Sequence, residues 1–261
     1  MKISANLSLL FTEQPLIDRV LAARLAGFDG VEIQFPYELA AVRLKEALER
    51  AGLPLVLINL PAGDFMSGGA GLAGVPGRQA EFDAALDDAL AYAAMTRPAH
   101  VNVLAGRLAD GVTRAEALDV LVERLRKAAE AFAVLGIPVL CEAINPFDMP
   151  GYLVNTAEQL DELLRRVDHP NCLAQLDLYH MARQGLEIGA CVRQLGGRIG
   201  HVQFADCPER GEPGSGETDF EAAFTALDAV GYAGWLGAEY HPGPQGTAAS
   251  LAWLDAWKAR P

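Results

Sequence analysis

The feature that most constrains this chain is an alternation, sustained along its length, of short apolar segments with β-strand character and longer Ala- and Leu-rich segments with helical periodicity. The apolar segments begin near eight positions, which are Lys2, Gly30, Pro54, His100, Pro138, Cys172, Ile199 and Trp235. Helical spacing is clear at 15–26, 39–51, 79–95, 114–135, 156–167, 220–230 and 247–257, and weaker near 186–195. Four of these helices are followed by a glycine suited to a left-handed C-cap, namely Gly27, Gly52, Gly136 and Gly231.

The order of these segments favours a TIM barrel. Segments 55–58 and 139–141 are continuously apolar, as expected for parallel strands that are covered on both faces. Eight β-α units occupy 261 residues with no linker or shift in composition between them, which predicts an α/β fold with a single (β/α)8 barrel domain over residues 1–261. The alternative is a doubly wound open sheet. It would place a glycine-rich dinucleotide fingerprint directly after the first strand, where segment 6–10 has no glycine.

A G-x-G-x-x-G pattern does occur elsewhere, at Gly69, Gly71 and Gly74. It lies well beyond the end of the third predicted strand, inside the loop 67–78, so it lacks the strand-to-helix context of a dinucleotide site. We interpret it as a glycine-rich surface loop, and a lid over the barrel mouth is the functional alternative.

Composition excludes several function classes. With 21 basic against 34 acidic residues, the net charge of −13 argues against nucleic-acid or membrane-surface binding. The four cysteines are widely spaced without a C-x-x-C pair, so neither a disulfide framework nor a zinc-thiolate site is indicated. The N-terminal segment is a poor signal peptide, and no run reaches the roughly 20 apolar residues of a membrane span. We therefore expect a cytoplasmic protein that acts on small molecules.

Polar residues at the ends of the last four predicted strands form the main candidate site. Glu142, Asp177 and Glu239 each end an apolar strand, and Gln203 lies in the seventh. Because the carboxyl ends of barrel strands converge on one face, these side chains are expected to meet there. Buried carboxylates that are close together repel one another unless a cation neutralises them. Three carboxylates and one amide oxygen are hard ligands, which predicts Mg²⁺ or Mn²⁺ rather than zinc. The alternative is that each acid pairs with an Arg or Lys from a neighbouring loop.

Other residues fall near the same face. His180 lies just beyond the sixth strand, where it would polarise a substrate oxygen, and Arg210 lies in the loop after the seventh, where it would clamp a carboxylate. Asn6 closes the first strand and is a candidate donor to substrate. Glu32 is expected to form a structural ion pair. We expect His201 to project toward the helices, on the side opposite Gln203, as a packed histidine.

Ten segments, in order along nearly the whole chain, resemble the hydroxypyruvate isomerase family within the xylose-isomerase-like TIM barrels. They are SANLS (4–8), GFDGVE (27–32), FPY (35–37), NLPAGD (59–64), PGR (76–78), EAIN (142–145), DLYH (177–180), GHVQ (200–203), RGEPG (210–214) and GAEY (237–240). Two positions depart from that family, which typically has a histidine at position 58 and a lysine at position 241. This chain has Ile58 and His241. An apolar residue at 58 is similar to the 2-oxo-tetronate isomerases, whereas segments 144–151 and 210–217 are similar to hydroxypyruvate isomerase.

The resemblance implies a metal-dependent aldose-ketose isomerase that converts hydroxypyruvate to tartronate semialdehyde. Its metal ligands would be Glu142, Asp177, Gln203 and Glu239, and its acid/base pair Glu142 and Glu239. Four alternatives stay open: a 2-oxo-tetronate isomerase, a ketose 3-epimerase with the same site, an endonuclease with several metals, and a sugar-acid-binding barrel without catalysis. A homo-oligomer is compatible with three C-terminal tryptophans, for which helix-to-barrel packing is the alternative, namely Trp235, Trp253 and Trp257.

Overall fold

The computed structural model describes residues 1–260, and within them eight strands close into a parallel barrel. The strands are β1 (Lys2–Asn6), β2 (Gly30–Ile33), β3 (Leu55–Asn59), β4 (His100–Asn102), β5 (Val139–Glu142), β6 (Cys172–Asp177), β7 (Ile199–Phe204) and β8 (Trp235–Ala238). Each pairs with its sequence neighbour, and β8 pairs with β1 through partners such as Ser4 and Gly237. The predicted barrel is confirmed, and every strand begins within one residue of its expected position.

Nine α-helices within the same range surround the barrel. They are α1 (Leu16–Leu25), α2 (Ala41–Ala51), α3 (Gln79–Thr96), α4 (Arg114–Ala133), α5 (Ala157–Val167), α6 (Leu178–Ala182), α7 (Ile188–Leu195), α8 (Phe220–Ala229) and α9 (Ala252–Lys258). The expected glycine C-caps are confirmed, because all four glycines have positive φ. No helix in residues 1–260 is long and apolar enough to cross a membrane.

Two helices differ from the sequence prediction. Helix α6 has five residues, which is too few for a periodic pattern to reveal. The helix predicted over 247–257 is divided into a 3-10 turn, Thr247–Ser250, and α9. Ser250 Oγ donates to the Thr247 carbonyl and contacts the hydroxyl of Tyr240, and such side-chain bonds compete with a continuous helix.

An aromatic cluster packs α8 and α9 against the barrel. The Trp253 and Phe204 ring centroids lie 5.2 Å apart, and those of Trp257 and Phe224 lie 4.7 Å apart, both in edge-to-face geometry. Trp235 is partly buried beneath the ammonium of Lys2. Trp253 and Trp257 therefore have the packing role that the sequence left as one alternative.

The barrel interior below the mouth is polar, and here one prediction is wrong. His201 faces the barrel interior, where its Nε2 lies 2.9 Å from Oε1 of Glu32. The reason is the strand period: His201 and Gln203 are two positions apart, so their side chains point to the same face. Burial opposes ionisation of Glu32, but contacts with His201, Ser4 and Gln203 hold its pKa below the ordinary value. The pairing expected for Glu32 is thus present.

Candidate active site

The predicted acids meet at the carboxyl-terminal mouth of the barrel. Glu142 ends β5, Asp177 ends β6 and Glu239 directly follows β8, and all three side chains are buried. Glu142, Glu239 and Gln203 line one cavity, and Asp177 lies beside it. Parallel strands that close into a ring deliver their last residues to the same end, which explains why positions almost 100 residues apart are neighbours.

One guanidinium lies between two of these acids. Arg210 Nη2 is 2.6 Å from Glu239 Oε2 and 3.4 Å from Asp177 Oδ2. The sequence predicted that Arg210 would clamp a substrate carboxylate, and the structure shows it paired with two protein carboxylates. The alternative of neutralisation by a loop arginine therefore applies to Glu239 and Asp177. In the part of the chain that the structure describes, Arg210 is the cation that pairs with these acids, and His180 Nε2 lies within 4 Å of Glu142 and Asp177.

Arg210 does not fully offset the repulsion among the buried acids. Burial raises the pKa of Glu142 well above its ordinary value, and the nearby Glu239 and Asp177 carboxylates raise it further. Burial, together with Glu239 and against the effect of Arg210, raises the pKa of Asp177 to about 7. Ionisation of both Glu142 and Asp177 at neutral pH needs more positive charge than Arg210 supplies. A divalent cation fits this demand.

The ligand-type atoms of Glu142, Asp177 and His180 lie within 4.8 Å of one another. His180 would be a metal ligand only through Nε2, and the neighbouring hydrogen bonds oppose that role. Asn145 accepts from the amides of Phe147 and Asp148 through Oδ1, so its Nδ2 must donate to His180 Nδ1, at 2.7 Å. The remaining proton of neutral His180 is then on Nε2, which faces Glu142 at 3.8 Å and Asp177 at 3.6 Å. Burial lowers the pKa of His180 well below its ordinary value and keeps the ring neutral. His180 is therefore placed as a donor, and the oxygen ligands remain the better set for a hard cation.

Glu239 and Gln203 are each held by hydrogen bonds. Glu239 Oε1 accepts from Asn6 Nδ2 at 2.8 Å and from Gln34 Nε2 at 2.9 Å. Asn6, predicted to bind substrate, contacts a candidate catalytic carboxylate and also lines the cavity. Gln203 donates from Nε2 to Glu32 Oε2 at 2.8 Å and accepts at Oε1 from Gln175 at 2.5 Å.

Three amide residues of this site were not predicted from the sequence. Gln175 lies inside β6, two positions before Asp177 on the same face, where strand alternation would have found it. Gln34 directly follows β2, where the strand-end rule that found the acids would have found it. Asn102, which donates to Glu142 Oε2 at 3.3 Å, ends β4 in the same way. These three amides were not predicted, although Asn6 and Gln203 were, because burial is far less costly for an amide than for a carboxylate and therefore gives a weaker signal.

The glycine-rich loop after β3 borders the mouth. Phe65 and Met66, in a short 3-10 turn, line the cavity. Arg107 Nη1 donates to the carbonyls of Phe65 and Gly69 at 2.9 and 2.7 Å, which fixes the loop in place. Helix α3 begins only at Gln79, so the glycines do not open a helix as a dinucleotide fingerprint requires.

Ile58 and His241, the two residues that depart from the family pattern, place no positive charge at the mouth. Ile58 is fully buried in β3. His241 has an exposed side chain, and its backbone N–H donates to the Arg210 carbonyl at 2.8 Å. Arg210 is therefore the guanidinium that lines this cavity.

Replacing Asp177 by asparagine should make the metal-free protein less sensitive to pH. Because the folded pKa of Asp177 is raised, the unfolded chain loses this proton first, so the wild-type protein loses stability as pH rises from about 4 to about 7. In urea unfolding with EDTA, the free energy of unfolding of Asp177→Asn should increase relative to that of wild type as pH rises across that window. A difference that is constant with pH would contradict the raised pKa.

Comparison with known proteins shows the same architecture and similar sequences. A family model described as Xylose isomerase-like TIM barrel matches residues 20–257. The chain is 38% identical over 259 residues to the 2-oxo-tetronate isomerase of Cupriavidus necator, covering 99% of each chain. It is also 38% identical over 258 residues to the hydroxypyruvate isomerase of Escherichia coli, covering 99% of this chain and all of that protein.

Two solved structures have the same fold. The crystal structure of an AP endonuclease, family 2, from Brucella melitensis superimposes with a TM-score of 0.93 at 37% identity, covering 98% of both chains. A D-psicose 3-epimerase from Clostridium cellulolyticum has a TM-score of 0.82 at 21% identity, covering 99% of this chain and 92% of the other, which shows the fold alone.

Proposed function

Because the chain belongs to the xylose isomerase-like TIM barrel family, we propose that it is a metal-dependent isomerase of a small hydroxy-keto acid, interconverting hydroxypyruvate and tartronate semialdehyde. The observation that carries the proposal is that Glu142 and Glu239 line one small cavity from different strands, with Asp177 and a neutral His180 beside them. Two carboxylates in one cavity can serve as the base and the acid of a 1,2-proton transfer.

The donor set would hold Mg²⁺ or Mn²⁺ through Glu142, Asp177, Gln203 and Glu239. Bound there, the ion supplies positive charge that stabilises the negative charge developing on adjacent substrate oxygens. Arg210 would attract the substrate carboxylate; in support, its guanidinium lines the cavity, where it pairs with Glu239 and Asp177.

The proton transfers belong to the two glutamates. One removes a proton from C3 of hydroxypyruvate, leaving an enediolate across C2 and C3, and the other donates a proton to C2. The C3 hydroxyl loses its proton and the C2 oxygen gains one, so the carbonyl moves from C2 to C3 and atoms balance. His180, with its proton on Nε2, is placed to donate a hydrogen bond to the substrate oxygen that carries charge.

Cavity size supports a small substrate. The cavity at the mouth has a volume of about 70 Å³, which is compatible with a small substrate. A second candidate substrate, a 2-oxo-tetronate, is supported by the equal identity to the Cupriavidus necator enzyme and by apolar Ile58. A net charge of −13 weighs against a phosphodiester substrate.

The test is a substrate panel followed by NMR in D₂O. Hydroxypyruvate, 2-oxo-tetronate and a ketohexose are each incubated with the protein, with EDTA or with added Mg²⁺ or Mn²⁺. The expected result is movement of the carbonyl of a keto acid, with deuterium at the newly protonated carbon. Inversion of a ketose at C3 without movement of its carbonyl would replace the proposal with an epimerase, and no turnover of either keto acid would overturn it.

A further prediction concerns the loop that carries Arg210. The buried Asp206 carboxylate accepts four backbone N–H bonds at 2.8 to 2.9 Å, from Cys207, Gly214, Gly216 and Thr218. In Asp206→Asn, an NH₂ group would replace one carboxylate oxygen and would face two of those N–H donors. Two hydrogen bonds would be lost, so the loop that carries Arg210 should no longer be held in this conformation. We expect the KM for hydroxypyruvate to rise about 10-fold, consistent with loss of one charged hydrogen bond. The matched control is Asp219→Asn, which makes the same change of an acid to its amide at a helix N-cap outside the loop and should leave KM unchanged. Equal KM in both variants would contradict the role of Asp206.

A further inference from the structure

We propose that Glu32 is a positioning residue that orients the amide of Gln203, so that the oxygen of Gln203, and not its nitrogen, is available to the metal ion. The inference rests on the proposed function for its metal site. Glu32 is a carboxylate inside the barrel that takes no part in the proposed proton transfers.

Glu32 is built into the barrel from several strands. It lies in β2 with no exposed surface, and its Oε1 accepts from Ser4 Oγ at 2.5 Å and contacts His201 Nε2 at 2.9 Å. A Cβ at position 237 would collide with this carboxylate. Gly237 pairs in register with Ser4 on one side and Gln203 on the other, so β8 leaves the space that Glu32 fills. The position of the carboxylate is thus fixed by β1, β7 and β8.

A carboxylate imposes a direction on an amide that contacts it. An ionised carboxylate only accepts hydrogen bonds, so Gln203 must turn its Nε2 toward Glu32 Oε2, at 2.8 Å. Its Oε1 then points away and accepts from Gln175 Nε2 at 2.5 Å. An amide oxygen has two acceptor sites, so one remains for a cation after Gln175 is satisfied. Without Glu32, the hydrogen bond that favours this orientation of the Gln203 amide would be absent. The amide could then turn its NH₂ group toward the metal site, and an NH₂ group cannot ligate a metal.

The experiment measures Mn²⁺ binding to the metal-free protein by isothermal titration calorimetry. In Glu32→Gln the new amide both donates and accepts, so Gln203 is free to turn round. We expect Mn²⁺ affinity to fall about 10- to 100-fold, the usual effect of removing a partner of a metal ligand. Glu32→Asp keeps the charge but shortens the side chain beyond reach of Gln203, and the same loss is expected.

A matched control and a double variant separate positioning from general damage. Asp161 is an equally buried acid on α5, paired with Arg165 and Arg198 away from the mouth. Asp161→Asn should keep wild-type Mn²⁺ affinity even if its melting temperature falls. In a Gln203→Ala background, adding Glu32→Gln should change Mn²⁺ affinity less than about twofold, because its effect acts through Gln203.

Three results would overturn the inference. Unchanged Mn²⁺ affinity in both Glu32 variants would show that the amide does not need the carboxylate. An undiminished effect of Glu32→Gln in the Gln203→Ala background would show that Glu32 acts by another route. Failure of the wild-type protein to bind Mn²⁺ would remove the metal from the proposed function as well, and so is distinguishable from the first two.

Discussion

Glutamine in place of Glu142 or Glu239 is expected to lower kcat by about 10²- to 10⁴-fold, the contribution of a positioned acid or base. The substitution is isosteric, so it removes proton transfer without opening a cavity. For Glu142→Gln it also relieves repulsion from Glu239 and Asp177, and the metal-free variant should be at least as stable as wild type. Turnover of hydroxypyruvate and thermal unfolding are the two measurements.

Hydrogen exchange assigns the two roles. The variant that lacks the C3 base should no longer exchange the C3 protons of hydroxypyruvate with D₂O, whereas the other variant should retain that exchange. Glu46→Gln, at an exposed position on α2, is the control and should be fully active. Near-normal turnover in either active-site variant would remove that glutamate from the mechanism.

The second large effect is expected from metal removal. A Lewis-acid ion contributes several kcal/mol to the stabilisation of developing charge, so exhaustive treatment with EDTA should reduce activity by about 10²-fold or more. Mg²⁺ or Mn²⁺ should restore activity, since the ligand set is made of oxygens. The ion should also raise the melting temperature, and more strongly at higher pH, because metal binding requires ionised carboxylates.

The chelation experiment has a clear opposite outcome. Full activity in protein shown by elemental analysis to contain no metal would mean that the charge of Arg210 and the hydrogen bond from His180 are sufficient without an ion. The control is metal-free protein with Mg²⁺ restored, which excludes irreversible damage by the chelator.

Much of the fold was accessible from sequence because each element carries its own local signal. Apolar runs and the glycines that end helices located every strand and all helices except α6, whose five residues are too short for periodicity. The convergence of Glu142, Asp177, Gln203 and Glu239 followed from topology, since strand ends of a parallel barrel share one face. None of this required knowledge of individual contacts.

The contacts themselves depend on three-dimensional distances that no local pattern encodes. The pairing of Arg210 with Glu239 and Asp177 depends on how the loop after β7 folds back over the mouth. Asn6 turned out to hold Glu239 because β1 is the neighbour of β8 only after closure. The error at His201 was different: strand alternation was available from sequence and, correctly applied, places His201 and Gln203 on one side.

Because β8 pairs with β1, the barrel can close only after the last strand has been synthesised. During synthesis, β1 leaves the ribosome more than 230 positions ahead of Glu239. It can pair with β2 early, but Asn6 gains its contact with Glu239, and Ser4 its register partner Gly237, only when β8 arrives. A nascent or prematurely terminated chain that lacks β8 has neither a closed ring nor Glu239, the proposed second proton-transfer group. On the proposed mechanism such fragments should be inert toward substrate, and activity should begin only when the final strand docks.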